Sequence, residues 1–145
     1  MILFINIENL FAQACGTCVG LQFTNPTVSG TFGGAPAISS TTICIDGTFS
    51  IDQDFTISGC NIYLDANSVI EVQPNKKLII NNSSYITSCN GGNGDMWRGI
   101  HLMDGSSLHV VNSTVEDAIQ AVYATPADAP LELVLDGSCF NRNLN

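Results

Sequence analysis

The chain has 145 residues, with thirteen Asp and Glu against four Lys and Arg, for a net charge of -9. That length fits one domain of ordinary size, and the acidic balance argues against nucleic acid or an anionic membrane as partner, because like charges repel. Only 12% of the residues are charged, about half the usual ~25%. Asn, Ser, Thr and Gly supply the polarity instead, which suits an extracellular β solenoid better than a cytosolic helical protein.

Residues 1–14 read as a signal-peptide remnant or a short capping helix. Ala12-Gln13-Ala14 offers a small-x-small cleavage site before Cys15, whereas Glu8 and the lack of a basic start favour the cap. No window reaches the ~20 apolar residues that a transmembrane helix needs. Residues 15–42 are rich in Gly, Thr, Ser and Pro and read as a loop-rich N-terminal segment. Apolar alternation starts at Ile43/Ile45 and continues through Phe49/Ile51 and Phe55/Ile57. Residues 89–95 read as an inserted loop, and 118–129 as a brief helical or irregular stretch bounded by Pro126 and Pro130.

A repeat gives the alternation its meaning. Leu78/Ile80, Leu108/Val110 and Leu133/Leu135 each follow a polar corner, and residues two apart on a strand share a face. A second corner follows each pair at Asn82, Asn112 and Gly137, types that tolerate positive φ. Beyond it the buried residue is expected to be Tyr85, Val115 or Phe140. Upstream, Ile62/Leu64, Ile70/Val72 and Leu78/Ile80 form three successive short sides. The expectation is an all-β, right-handed parallel β-helix, a three-sided solenoid occupying 43–145 and C-terminally incomplete. One isolated coil loses more backbone freedom than its few buried side chains offset, so the unit must stack.

Six cysteines in an export-compatible chain suggest disulfides. Cys60 and Cys89 lie close to one circuit apart and are candidates for a bridge between neighbouring coils. Cys139 sits in a strand copy and reads as a packed thiol. Cys15-Gly16-Thr17-Cys18 has redox spacing but lacks the strand-to-helix setting of a redox motif.

The stretch from Cys89 to Ala124, with Met96-Trp97-Arg98-Gly99-Ile100, Gly105-Ser106-Ser107-Leu108 and Asn112-Ser113-Thr114-Val115, resembles the right-handed parallel β-helix segments of large bacterial surface proteins that use type IX secretion. The resemblance covers roughly residues 43–140. It implies a secreted or cell-surface location and a structural or adhesive role toward extracellular glycans or surface proteins.

Parallel β-helices also carry pectin-degrading lyases and hydrolases, so a fragment of a polysaccharide lyase or glycoside hydrolase is the alternative. Hydrolysis needs two carboxylates set across the scissile bond, and the only adjacent acidic pair is Glu116-Asp117. A lyase needs a base and a group that neutralises the uronate, yet Arg98 and Arg142 are the only arginines. No catalytic residue is assigned. Trp97, the sole tryptophan, forms either a sugar platform with Asp95, Arg98 and His101 or a plug over the inserted loop. His101 and His109 are expected to face outward on different sides, too far apart to share a zinc ion. Asp52, Asp54, Asp65 and Glu71 are of the type that binds calcium but lack dense ligand spacing, so no cofactor is expected.

Overall fold

A computed structural model of the chain describes Cys18 and residues 20–89, 95–126 and 128–144. The chain winds as a three-sided parallel β-helix. The first coil contains β1 (Leu21–Thr24), α1 (Val28–Thr31) and β2 (Ala37–Ser39). The second contains β3 (Thr42–Asp46), β4 (Thr48–Ile51) and β5 (Phe55–Ser58), and the third β6 (Asn61–Leu64), β7 (Val69–Val72) and β8 (Lys77–Asn81). The fourth is β9 (Tyr85–Ser88), β10 (Gly99–Leu102) and β11 (Ser107–Val111); the fifth is β12 (Thr114–Glu116), β13 (Val122–Ala124) and β14 (Glu132–Asp136). Finally β15 (Cys139–Asn141) stacks on β12.

The strands assemble into three sheets in the orders β1-β3-β6-β9-β12-β15, β4-β7-β10-β13 and β2-β5-β8-β11-β14, here sheets 1, 2 and 3. Every paired strand runs parallel to its neighbour. Like residues lie over like: Leu78, Leu108 and Leu133 share one column of sheet 3, and Phe49, Ile70, Ile100 and Val122 one column of sheet 2. The inward members from Ile43 to Val115 are almost wholly buried and form one continuous core. Burial at ~25 cal/mol per Å² of apolar surface makes this core the main favourable term.

Residues 15–42 do more than the loop expected of them. From Leu21 onward they wind the first coil, and Phe32, which ends α1, packs its ring 5.7 Å from both Phe49 and Phe55. Thr27 caps α1 by accepting from the Gly30 amide at 3.0 Å. A disulfide joins Cys18 to Cys44 on β3, with Cα atoms 6.5 Å apart. The expected remnant or capping helix at 1–14 lies outside the described residues.

The recurring Asn-Ser and Gly-Ser pairs now have a physical cause. At the corner from sheet 3 to sheet 1, positive φ at Asn82 and Ser83, at Asn112 or at Gly137 makes the bend, and the serine that follows, Ser84, Ser113 or Ser138, turns its hydroxyl to the coil below. Ser84 Oγ accepts from the Cys60 amide (3.2 Å), Ser113 Oγ from the Ser84 amide (3.2 Å) and Ser138 Oγ from the Ser113 amide (3.4 Å). Each hydroxyl also donates to a carbonyl, as Ser84 Oγ does to Asn81 O at 2.7 Å and Ser113 Oγ to Val111 O at 2.9 Å. At the corner from sheet 1 to sheet 2, Ser68 Oγ accepts from the Gly47 amide at 2.9 Å. Corner amides that leave the strand ladder are thereby satisfied inside the fold, where an unpaired donor is costly.

The register corrects one expected position. Val115 lies beside Ile86 and Thr114 beside Tyr85, so Ile86, and not Tyr85, is the core equivalent of Val115 and Phe140. The cause is one extra corner residue. Asn82 and Ser83 both take positive φ, at 55° and 63°, where Gly59, Asn112 and Gly137 do this alone in the neighbouring coils.

The disulfide candidates are corrected too. Ser84, 24 residues on, stacks over Cys60, whereas Cys89 follows Ser88, which pairs with Leu64 at the far end of the strand. Cys60 is a free, buried thiol that donates to Ser58 O at 3.4 Å, and Cys89 is disulfide-bonded elsewhere. Cys139 is free but exposed, and so is not the packed thiol expected.

Close approach of coils makes one glycine hard to replace. Gly99 opens β10 at φ +121°, and a Cβ there would run into the backbone carbonyl of Gln120 on the next coil. Gly33 also has positive φ, at +62°, but faces open space. Gly99→Ala is therefore expected to cost well over about 1 kcal/mol in urea unfolding, and clearly more than Gly33→Ala. Equal losses would place the cost in φ alone and contradict the tight contact.

Candidate functional site

Two clusters of chemically active side chains stand out on the solenoid. The first lies on the outer face of sheet 2, where the register brings Glu71, His101 and Tyr123 into one column across β7, β10 and β13. The His101 and Tyr123 rings are stacked, with centroids 4.8 Å apart and planes 6° from parallel. His101 Nδ1 lies 3.6 Å from Glu71 Oε1, and its Nε2 is buried without a hydrogen-bond partner among the described residues. Burial holds the Tyr123 phenol above its ordinary pKa; the Glu71 carboxylate adds to this, and the Arg98 guanidinium opposes it. The phenol thus stays protonated at neutral pH and can donate a hydrogen bond.

Of the four residues expected to form a sugar platform, the structure sets His101 on this face, leaves Arg98 exposed just before β10, and removes Trp97. Trp97 is 0% exposed, bridges to Ala118 in the next coil, and donates its indole N–H to the Glu116 carbonyl at 2.8 Å. It is a core plug, because the chain re-enters the coil at this point and needs a large apolar residue where the insertion ends. Asp95 is exposed beside Met96, at a surface hollow that also includes Asn67 and Ile119. Residues 90–94 of the expected insertion lie outside the described residues. Tyr123 went unnoticed in the sequence because it falls in the stretch read as helical or irregular. The available signal was the Val122/Ala124 pair, which repeats Ile100/Leu102 one circuit on.

The second cluster is an ion-pair network on sheet 1. Glu116 and Asp117, 3% and 1% exposed, converge on Arg142 from the following coil. Arg142 Nε donates to Asp117 Oδ1 at 2.8 Å, while Nη2 donates to Glu116 Oε1 at 2.6 Å and Asp117 Oδ2 at 2.9 Å. The Tyr85 hydroxyl donates to Glu116, and Thr87 Oγ1 to Asp117 Oδ2 at 2.7 Å. Next to it, Asn143 Oδ1 accepts from the Ala118 amide at 2.8 Å and its Nδ2 donates to Val115 O at 3.2 Å. The arrangement satisfies both carboxylates with fixed donors, as buried charges require.

The remaining expected groups are dispersed. His109 projects from sheet 3, 3.0 Å from Glu132 Oε2, and Lys77 Nζ lies 3.8 Å from the same oxygen. Hydrogen bonding from His109 holds the Glu132 carboxyl below its ordinary value. The two histidines thus sit on different sides, as expected. Asp52 accepts from the Ser29 amide at 2.9 Å and from its hydroxyl, Asp54 from the Lys77 amide at 2.9 Å, and Asp65 from the Ala66 amide at 2.8 Å. These carboxylates serve corners, and no group of three or more His, Cys, Asp or Glu suited to a metal ion occurs among the described residues. No helix among them is long and apolar enough to cross a membrane. No protein-family model, curated protein or solved structure matches the chain.

The Arg142 network makes stability depend on acid. Hydrogen bonding from Arg142 holds the Asp117 carboxyl below its ordinary pKa against the opposing effect of burial, with Thr87 assisting. A depressed carboxylate contributes stability above its unfolded pKa, about 4, and loses it as pH falls through the folded value. Arg142, itself held above its ordinary pKa by Asp117, stays charged throughout. Melting curves from pH 7 to pH 2 should show Arg142→Ala melting well below the parent at pH 7, with the gap closing below about pH 4. A gap that ignores pH would contradict this.

Proposed function

We propose that the chain is a non-catalytic, exported structural or adhesive β-helix module, secreted or held at the cell surface, where its flat sides contact glycans or proteins. The observation that carries this reading is the fate of Glu116 and Asp117. A glycosidase pair needs one carboxyl protonated as general acid and a second free to act on water or on the sugar. Here both are almost fully buried and grip one guanidinium, which favours the ionised form of Asp117. Three surface hollows, around Ser83 and Cys139, around Asp54 and Lys77, and around Asp95 and Ile119, each hold at most one carboxylate.

Export is supported by the Cys18–Cys44 disulfide and by bonded Cys89, since such bonds persist in oxidising compartments. The low charged fraction and the corner-rich composition support the same location. The resemblance of Cys89 to Ala124 to β-helix segments of type IX-secreted surface proteins supports the adhesive role. Incubation with polygalacturonate and with a panel of neutral polysaccharides tests the reading, following reducing ends and the ultraviolet absorbance of unsaturated products. No product should appear. Turnover of any of these polymers would instead establish the lyase or hydrolase alternative.

A further inference from the structure

We infer that Cys89 is bonded to Cys15, so that Cys15-Gly16-Thr17-Cys18 forms a doubly bonded strap across the outer wall of sheet 1, closed only by oxidation and tying the second coil to the fourth. The pairing follows by elimination. Six cysteines occur in the sequence. Cys18 is joined to Cys44, Cys60 and Cys139 are free, and Cys89 is disulfide-bonded. Cys15 is the one cysteine of this sequence left to meet it. The strap goes beyond the reading of the chain as a contact module and holds whatever the flat sides contact.

Geometry allows both bonds at once. Cys44 on β3 stands in one outward column with Tyr63 on β6 and Thr87 on β9. Cys89 lies two residues beyond Thr87, and its amide donates to Leu64 O at 2.9 Å. The two anchors are therefore two strand spacings apart along the axis and two residues apart across it, about 12 Å in all. Three residues of extended chain reach ~10 Å, and the Cys18–Cys44 bond adds its own Cα separation of 6.5 Å. The wall beneath is a covered one: outward Cys44 and Thr87 are 0% and 3% exposed, whereas outward Ile79 and His109 of sheet 3 are half-buried.

Closing the second bond takes one proton and one electron from each of the Cys15 and Cys89 thiols. A disulfide oxidant of the exporting compartment accepts them and leaves as two thiols. Cys44 is wholly buried and Cys89 is half-buried, so a reductant reaches the Cys15–Cys89 bond first. The strap then swings free of the fourth coil and stays tethered to the second. Its longer loop, from Cys15 to Cys89, encloses the one from Cys18 to Cys44 and restrains the unfolded chain more.

The test refolds the 145-residue chain with oxidised and reduced glutathione, alkylates free thiols under denaturing conditions, and maps a non-reduced peptic digest by mass spectrometry. One species joining the strap peptide to both the Cys44 and the Cys89 peptides is expected, with Cys60 and Cys139 alkylated. Cys89 found alkylated, or joined to Cys60 or Cys139, would overturn the strap. Graded dithiothreitol should free Cys15 and Cys89 before Cys18 and Cys44; the opposite order would contradict a strap that opens at the fourth coil. Cys15→Ser, Cys89→Ser and the double variant should all melt about 10 °C below the parent and by the same amount, with amide protection falling more on β6 and β9 than on β5 and β8. Unchanged melting, or losses that add in the double variant, would count against the pairing. The digest uses the parent chain, so it decides even where a variant fails to fold.

Discussion

Everything in this fold depends on keeping corner amides satisfied while successive coils stay in register. A parallel strand ladder satisfies its own backbone groups, but each bend takes one residue out of it. Asn, Gly and occasionally Ser adopt the positive φ that makes the bend, and the serine behind it hands its oxygen to the coil below. Asn25 serves the same purpose from the other side of a bend, accepting from the Thr48 amide at 2.9 Å. These side chains are short enough to sit inside the wall of the solenoid without displacing the apolar columns. The core and the corners therefore specify one another.

The same constraint explains where chemistry is found and where it is not. Inward positions are committed to packing, so Trp97, despite being the sole tryptophan, closes the core and presents no face to solvent. Buried charge at Glu116 and Asp117 survives only because Arg142, Tyr85 and Thr87 surround it. Breaking such a group exposes one uncompensated charge, which makes it a clamp between coils. Only outward columns remain free to meet a partner. Among these, the column of Glu71, His101 and Tyr123 combines stacked rings with ionisable groups.

Much of the architecture was legible because the inward pairs and the corners carry independent signals that agree. Leu78/Ile80, Leu108/Val110 and Leu133/Leu135 fall into adjacent ladders as their spacing implied. Register was less legible wherever circuit length varied. Ser83 adds one residue at a single bend and displaces Tyr85 from the core, and counting a fixed interval paired Cys60 with Cys89 when Ser84 stands over Cys60. The first coil was hidden by its Gly- and Pro-rich composition, which marks loops as readily as tight bends. Tyr123 was hidden because β13 has only Val122 and Ala124 beside it, too little alternation to announce a strand. Composition and local pattern carry the inward columns; which outward residues meet depends on the register, and a one-residue change in a bend alters it.

Nuclear Overhauser contacts between backbone amide and α protons test the stacking most directly. The account predicts short interstrand contacts linking Ile62 to Ile86, Ile70 to Ile100, and Leu78 to Leu108 and onward to Leu133, in the pattern of parallel strands. Close α-proton pairs between strands consecutive in sequence, such as β7 with β8, would mean antiparallel hairpins and would contradict the solenoid and every site placed on it.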